Sequence, residues 1–92
     1  MNNRKFSIIT VTWNNAEGLR RTLQSVSALH YPCFEVIVID GASTDSTKSV
    51  VESFAQLVTV FVSEKDSSIY NAMNKGIAHI TGDYVVFMNA GD

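Results

Sequence analysis

The chain has one cysteine, one proline and five glycines in 92 residues. Cys33 has no partner for an internal disulfide and cannot build a cysteine zinc cluster, which fits a reducing compartment. A single proline and few glycines argue against a low-complexity, disordered chain. No apolar run approaches the roughly 20 residues that a membrane span requires. The opening stretch "MNNRKFSIITVTW" has a basic start, but Ser7, Thr10 and Thr12 interrupt its apolar part. It also lacks a small-residue cleavage site, so no secretory signal is expected. A net charge of -2 supplies no basic patch for nucleic acid. The P-loop pattern G-x-x-x-x-G-K-[ST] is missing. So is G-x-G-x-x-G after the first strand, where "TWNNAEG" stands instead. What remains is one small cytoplasmic domain without the common glycine cradles for phosphate.

The residues present alternate between two periods. "FSIITVT" is β-branched and apolar and reads as a strand over Phe6 to Thr12. Leu19, Leu23 and Val26 then recur at i, i+4 and i+7, the spacing of one helix face, with Asn14 or Asn15 as its cap. "HYPC" ends that helix, because the residue before a proline is pushed out of helical dihedrals. "EVIVID" is a strand buried on both faces. "GASTDST" is a turn in which Ser43 or Asp45 can cap a second helix, with Val50, Val51, Phe54 and Leu57 as its stripe. "VTVFVS" is a third strand. Ile69, Met73, Ile77 and Ile80 mark a third helix. "YVVFM" reads as a buried fourth strand that delivers Asp92 beyond its C-terminal end. The order βαβαβαβ predicts an α/β fold, a doubly wound parallel sheet with right-handed crossovers and helices on both faces.

Sheets of this class bind ligands beyond the C-terminal ends of their strands. Those ends carry Thr12 and Trp13, Asp40, Glu64 to Asp66, and Asn89 to Asp92. The N-terminal ends carry little of interest. Trp13 can stack on a base and Asp40 can hydrogen-bond a base or ribose. Asp92 can hold Mg2+ or Mn2+, cations that take oxygen ligands and are often shared with phosphates. A nucleoside diphosphate leaving with metal help is the chemistry suggested.

Four segments, "SIITVTWNN", "EVIVIDGASTDST", "SEKDSSIYNAMNKGI" and "GDYVVFMNAGD", resemble the donor-binding half of glycosyltransferase family 2, which has the GT-A fold. They are most similar to bacterial members that assemble exopolysaccharide or O-antigen units. In order, they span nearly the whole chain from Phe6 to Asp92. The resemblance implies inverting transfer of a sugar from a nucleotide-sugar donor to a saccharide or lipid-linked acceptor. By position, it places Val11 and Trp13 at the nucleotide and Asn15 where many members carry an acid. It matches Asp40 to the first acid of an Asp-Asp-Gly-Ser segment and Asp66 to the polar loop after the third strand. Asp92 matches the last acid of the metal-binding Asp-x-Asp region. Gly41 replaces a second acid that contacts the base in many members, so uracil and guanine both stay open. Ser68 and Asn71 replace a Gly and an Asp of the exopolysaccharide subgroup. Asn89 and Gly91 replace acids beside Asp92. The family's general base and acceptor site lie beyond the Asp-x-Asp region. The chain is therefore expected to be an incomplete donor-binding portion, inactive alone, in an enzyme that is cytoplasmic or peripheral at the inner membrane face.

Each residue also has a plainer role available. Asp40 can brace its own loop through an Asx turn. Trp13 can be core, and Asp66 a solvated loop acid. Lys75 can reach a diphosphate or simply line the wet face of its helix. Met73 reads as core. His30 and His79 have no paired ligands and read as surface or turn residues. A sugar nucleotidyltransferase shares the strand-end acids, but calls for a glycine-rich, basic first loop. A phospho-accepting receiver calls for further acids after the first strand, where Thr12 to Asn15 stand. A non-catalytic nucleotide-binding fragment is the remaining alternative.

Overall fold

The computed structural model describes residues 4–29 and 33–90. Seven elements alternate: β1 (Phe6–Thr12), α1 (Ala16–Ser27), β2 (Phe34–Asp40), α2 (Thr47–Ser53), β3 (Val60–Ser63), α3 (Ile69–Ile77) and β4 (Tyr84–Phe87). The four strands form one sheet in the order β3-β2-β1-β4, and every pairing is parallel. The expected α/β arrangement is therefore present. His30, Pro32 and Asp92 lie outside the described residues.

Alternate residues of β1 and β2 feed two separate cores. Ile8, Val36 and Val38 face α1 and α2. Ile9, Ile37 and Ile39 face α3. Both strands are thus covered on both sides, as the continuous apolar run of β2 predicts for that strand. On α1, Leu19, Leu23 and Val26 are fully buried at the predicted spacing. Each such side chain contributes about 1.5–3 kcal/mol. Asn15 caps this helix: its Oδ1 accepts from Gly18 N at 3.1 Å. Ser68 caps α3 by accepting from Asn71 N, and Asn71 Oδ1 accepts from Ser67 N in return, both at 3.1 Å.

Four expectations change. The seam of α3 is not its isoleucine stripe: Ala72 and Gly76 are its buried residues, while Ile69 and Ile77 are about half exposed. A Cβ on Gly76 would stand 2.6 Å from Ile9 Cγ2, so the small residues let α3 lie close on β1. The second change concerns β4, expected to be buried: among the described residues it lies at the edge of the sheet, and its four residues are 37–47% exposed. The helices pack over β1 and β2, and β4 borders only β1. Third, α2 starts after Ser46, whose side chain makes no cap bond, and ends before Phe54. Asp45 reaches forward to Thr47 N at 3.0 Å and sideways to Ala16 N at 3.1 Å. One carboxylate thereby ties the starts of two helices together.

The fourth change is at the N-terminal edge of the sheet, which is not empty. Glu35, only 5% exposed, sits beside Ser7 in register. Its Oε2 accepts from Ser7 Oγ and from Thr81 N, both at 2.6 Å, and its Oε1 accepts from Thr81 Oγ1 at 2.9 Å. Lys5 Nζ stands 3.6 Å from Oε1. Burial pushes the Glu35 carboxyl up, but the hydrogen bonds from Ser7 and Thr81 outweigh it and hold the group below its ordinary 4.5. This network fastens the turn before β4 to the bottom of β1 and β2.

Candidate functional site

At the opposite edge, three loops converge. The first follows β1. Trp13 projects there, 67% exposed, so the core reading of this residue does not hold. The next residue, Asn14, has φ 47°, a left-handed conformation that asparagine tolerates. The turn holds because Asn14 N donates to Ser43 Oγ at 2.7 Å and Asn14 Oδ1 accepts from Thr44 N at 2.8 Å. These bonds lock the first loop to the second.

The second loop follows β2. Asp40 is 2% exposed, and its carboxylate turns into its own loop. Oδ2 accepts from Ser43 N at 3.0 Å and from Ser63 Oγ at 2.8 Å, while Oδ1 accepts from Ser43 Oγ. The backbone of Asp40 also accepts from Glu64 N at 2.9 Å. Asp40 therefore makes the Asx-type brace and joins the second loop to β3. Within it, Ala42 is left-handed at φ 63°, a conformation that costs a Cβ-bearing residue about 1–2 kcal/mol. Asp45 completes the loop, and its carboxyl is held below the ordinary aspartate range, chiefly by the Thr47 hydroxyl.

The third loop follows β3 and carries Asp66. Lys75, from α3, donates to Asp66 Oδ1 at 2.5 Å and to Lys65 O at 3.0 Å, and pairs with Glu64 Oε1 at 3.1 Å. It does not simply line a wet helix face: its side chain is 19% exposed. The Asp66 contact, and after it Glu64, holds the Lys75 ammonium above its ordinary 10.5.

Between these loops and α3 lies a pocket of about 420 Å³. Val11, Trp13, Ile69 and Ala72 supply apolar surface, and Asp66, Ser68 and Asn89 supply polar groups. Gly41 keeps the centre open. A Cβ there would stand 3.2 Å from Asp66 Oδ2 and 3.3 Å from Trp13 Cδ1. Asn89 reaches the pocket because the chain continues along β1 after β4: Met88 N donates to Ile9 O and Ala90 N to Val11 O.

Of the six residues expected at the site, Val11, Trp13 and Asp66 line this pocket. Asn15 and Asp40 stand behind it with their polar atoms engaged, Asn15 as the α1 cap and through its Nδ2 to Ala90 O at 3.4 Å. Asp92 lies outside the described residues. Ser68, Ile69 and Ala72 also line the pocket but were not expected there. Their signal was present in "SEKDSSIYNAM", where the loop turns into α3.

Among the described residues no three His, Cys, Asp or Glu side chains gather as a metal cage. Asn89 is an oxygen donor on the pocket. Among the described residues, too, no helix is long and apolar enough to cross a membrane.

Comparison with known proteins agrees with this geometry. The glycosyl transferase family 2 model matches residues 7–92. An uncharacterised glycosyltransferase of Mycobacterium tuberculosis is 40% identical over 87 residues, which are 94% of this chain and 33% of that protein. Among solved structures, the mannosyltransferase PcManGT of Pyrobaculum calidifontis, in complex with GDP-Man and Mn2+, superposes with a TM-score of 0.90 at 31% identity. The match covers 98% of this chain and 28% of that one. TarS of S. aureus, in complex with UDP-GlcNAc, superposes at 0.87 with 26% identity, covering 95% and 26%. The chain thus spans about a third of the length of the curated relatives it matches.

Proposed function

Since this chain belongs to glycosyl transferase family 2, we propose that its pocket binds the nucleotide of a nucleotide-sugar donor. The sugar passes to a saccharide or lipid-linked acceptor in the assembly of cell-surface polysaccharide. One observation carries the reading: an exposed Trp13 and the Asp66 carboxylate flank Gly41 at the C-terminal edge of a parallel sheet. Trp13 offers a flat face for a base, and Asp66 Oδ2 an acceptor for a base N–H. Val11 adds apolar contact. Asp40 and Asn15 contribute by holding the loops and the start of α1 in place. The relatives solved with GDP-Man and with UDP-GlcNAc support a donor of this class.

Asp92, with Asn89 as an auxiliary oxygen, would hold a divalent cation, Mg2+ or Mn2+. When bound, such a cation supplies positive charge that offsets the negative charge on the departing diphosphate. The base that deprotonates the acceptor hydroxyl, for inversion at the sugar carbon, would come from residues outside this stretch. The short span of this chain relative to its relatives supports that division. We place the reaction in the cytoplasm, at the inner membrane face when the acceptor is lipid-linked.

Trp13 is the only tryptophan, so its emission reads the pocket directly. UDP or GDP, added with Mg2+, should change that emission and release heat in a calorimetric titration. Asp66→Asn should weaken the response roughly tenfold, the scale of one hydrogen bond to a charged group. Neither heat nor an emission change with either nucleotide would refute the proposal.

A further inference from the structure

Lys75 is placed one residue before Gly76, where α3 lies closest to β1. Its ammonium has three N–H donors. Three acceptors meet it, all from the β3–α3 loop: Asp66 Oδ1, Lys65 O and Glu64 Oε1. No donor is left to reach a phosphate. The lysine also divides the Asp66 carboxylate: Oδ1 is held from behind, and Oδ2 lies against Gly41, beside Trp13. Asp66 itself is only 12% exposed, so its orientation is set by the protein and not by solvent.

We propose that Lys75 is a positioning residue of the donor site, acting on the nucleotide only through Asp66. It clips residues 64–66 to α3 and presents one free carboxylate oxygen beside Trp13. This rests on the donor-site reading given above.

Calorimetry on Lys75→Met, Lys75→Arg, Asp66→Asn and the double variant Lys75→Met/Asp66→Asn tests it. Each is titrated with UDP and UMP, and with GDP and GMP. Lys75→Met should weaken the monophosphate and the diphosphate by the same factor, roughly tenfold. The double variant should bind no more weakly than Asp66→Asn alone, because both changes remove one coupled interaction. Lys75→Arg should retain most of the binding. A loss confined to the diphosphates, or losses that multiply in the double variant, would overturn the proposal and put Lys75 on the phosphates. Amide hydrogen exchange without nucleotide gives a second readout. It should speed up at residues 64–66 in Lys75→Met and return to normal in Lys75→Arg. Unchanged exchange would overturn the proposal whatever the nucleotides do. If the unaltered protein binds no nucleotide, the donor-site reading is what fails, and exchange alone decides whether Lys75 holds the loop.

Discussion

Replacing Glu35 by glutamine changes one atom and should cost the fold several hydrogen bonds' worth of stability. The carboxylate accepts from three donors and faces a fourth, the Lys5 ammonium. An amide can keep its oxygen toward Ser7 Oγ and Thr81 N, but its NH2 then faces Thr81 Oγ1 and Lys5. Hydrogen bonds to a charged group contribute about 1.5–3 kcal/mol and neutral ones about 0.5–1.5, a difference near 1 kcal/mol for each retained bond. The Lys5 pair is partly exposed and adds at most about 1 kcal/mol. The expected loss is therefore about 2–4 kcal/mol near neutral pH. Urea denaturation followed by circular dichroism measures it. Acid supplies a second axis. The Glu35 carboxyl is held below 4.5 in the fold, so its contribution is complete above that pH and fades as pH falls through the lower, folded value. Glutamine has no such contribution to lose. The gap between the two proteins should shrink in acid. A loss under about 0.5 kcal/mol, well below the scale of one charged hydrogen bond, would refute the argument. So would a gap that stays constant into strong acid.

Ala42→Gly should stabilise the protein. Relief of the left-handed Cβ is worth about 1–2 kcal/mol and the added chain freedom costs about 0.4–1, leaving a gain near 0.5–1 kcal/mol, read as a higher urea midpoint at unchanged slope. A loss of stability would mean that the loop does not need φ near 63°. Gly76→Ala should destabilise by about 1–3 kcal/mol, since its methyl group would overlap Ile9 and push α3 off the sheet. Thermal melting that is unchanged, or raised as for an ordinary helical Gly-to-Ala exchange, would refute that close approach.

Much of the fold was legible because the two central strands advertise themselves. "VIVI" is apolar throughout, which only a strand covered on both faces tolerates, and "IITV" is β-branched with a single hydroxyl at Thr10. The face of α3 was not legible for a specific reason. Counting large apolar residues points to Ile69 and Ile77, whereas the helix is seated by Ala72 and Gly76, where the absence of side-chain volume does the positioning. Glu35 was hidden by register: an acid opening an apolar run looks like a strand end until Ser7 is seen beside it. The site was legible as a set of strand ends, and Trp13 and Asp66 do line one pocket. The division of labour there was not. Asp40 and Asp66 are both acids after strands, yet the hydroxyls of Ser43 and Ser63 saturate the first, and a lysine nine residues on turns the second outward.

The place of β1 in the sheet has a consequence for how the chain is made. Of the four described strands β1 is synthesised before its two neighbours, β2 and β4. Its β2 side can be matched early. Its other side must wait until residues 84–90 have left the ribosome, since those residues supply the donors and acceptors along Ile9 and Val11. Until then β1 carries an open ladder of peptide groups on that side. Nascent chains stopped just before β4 should therefore associate with one another, or occupy a chaperone, far more readily than chains that run through residue 90.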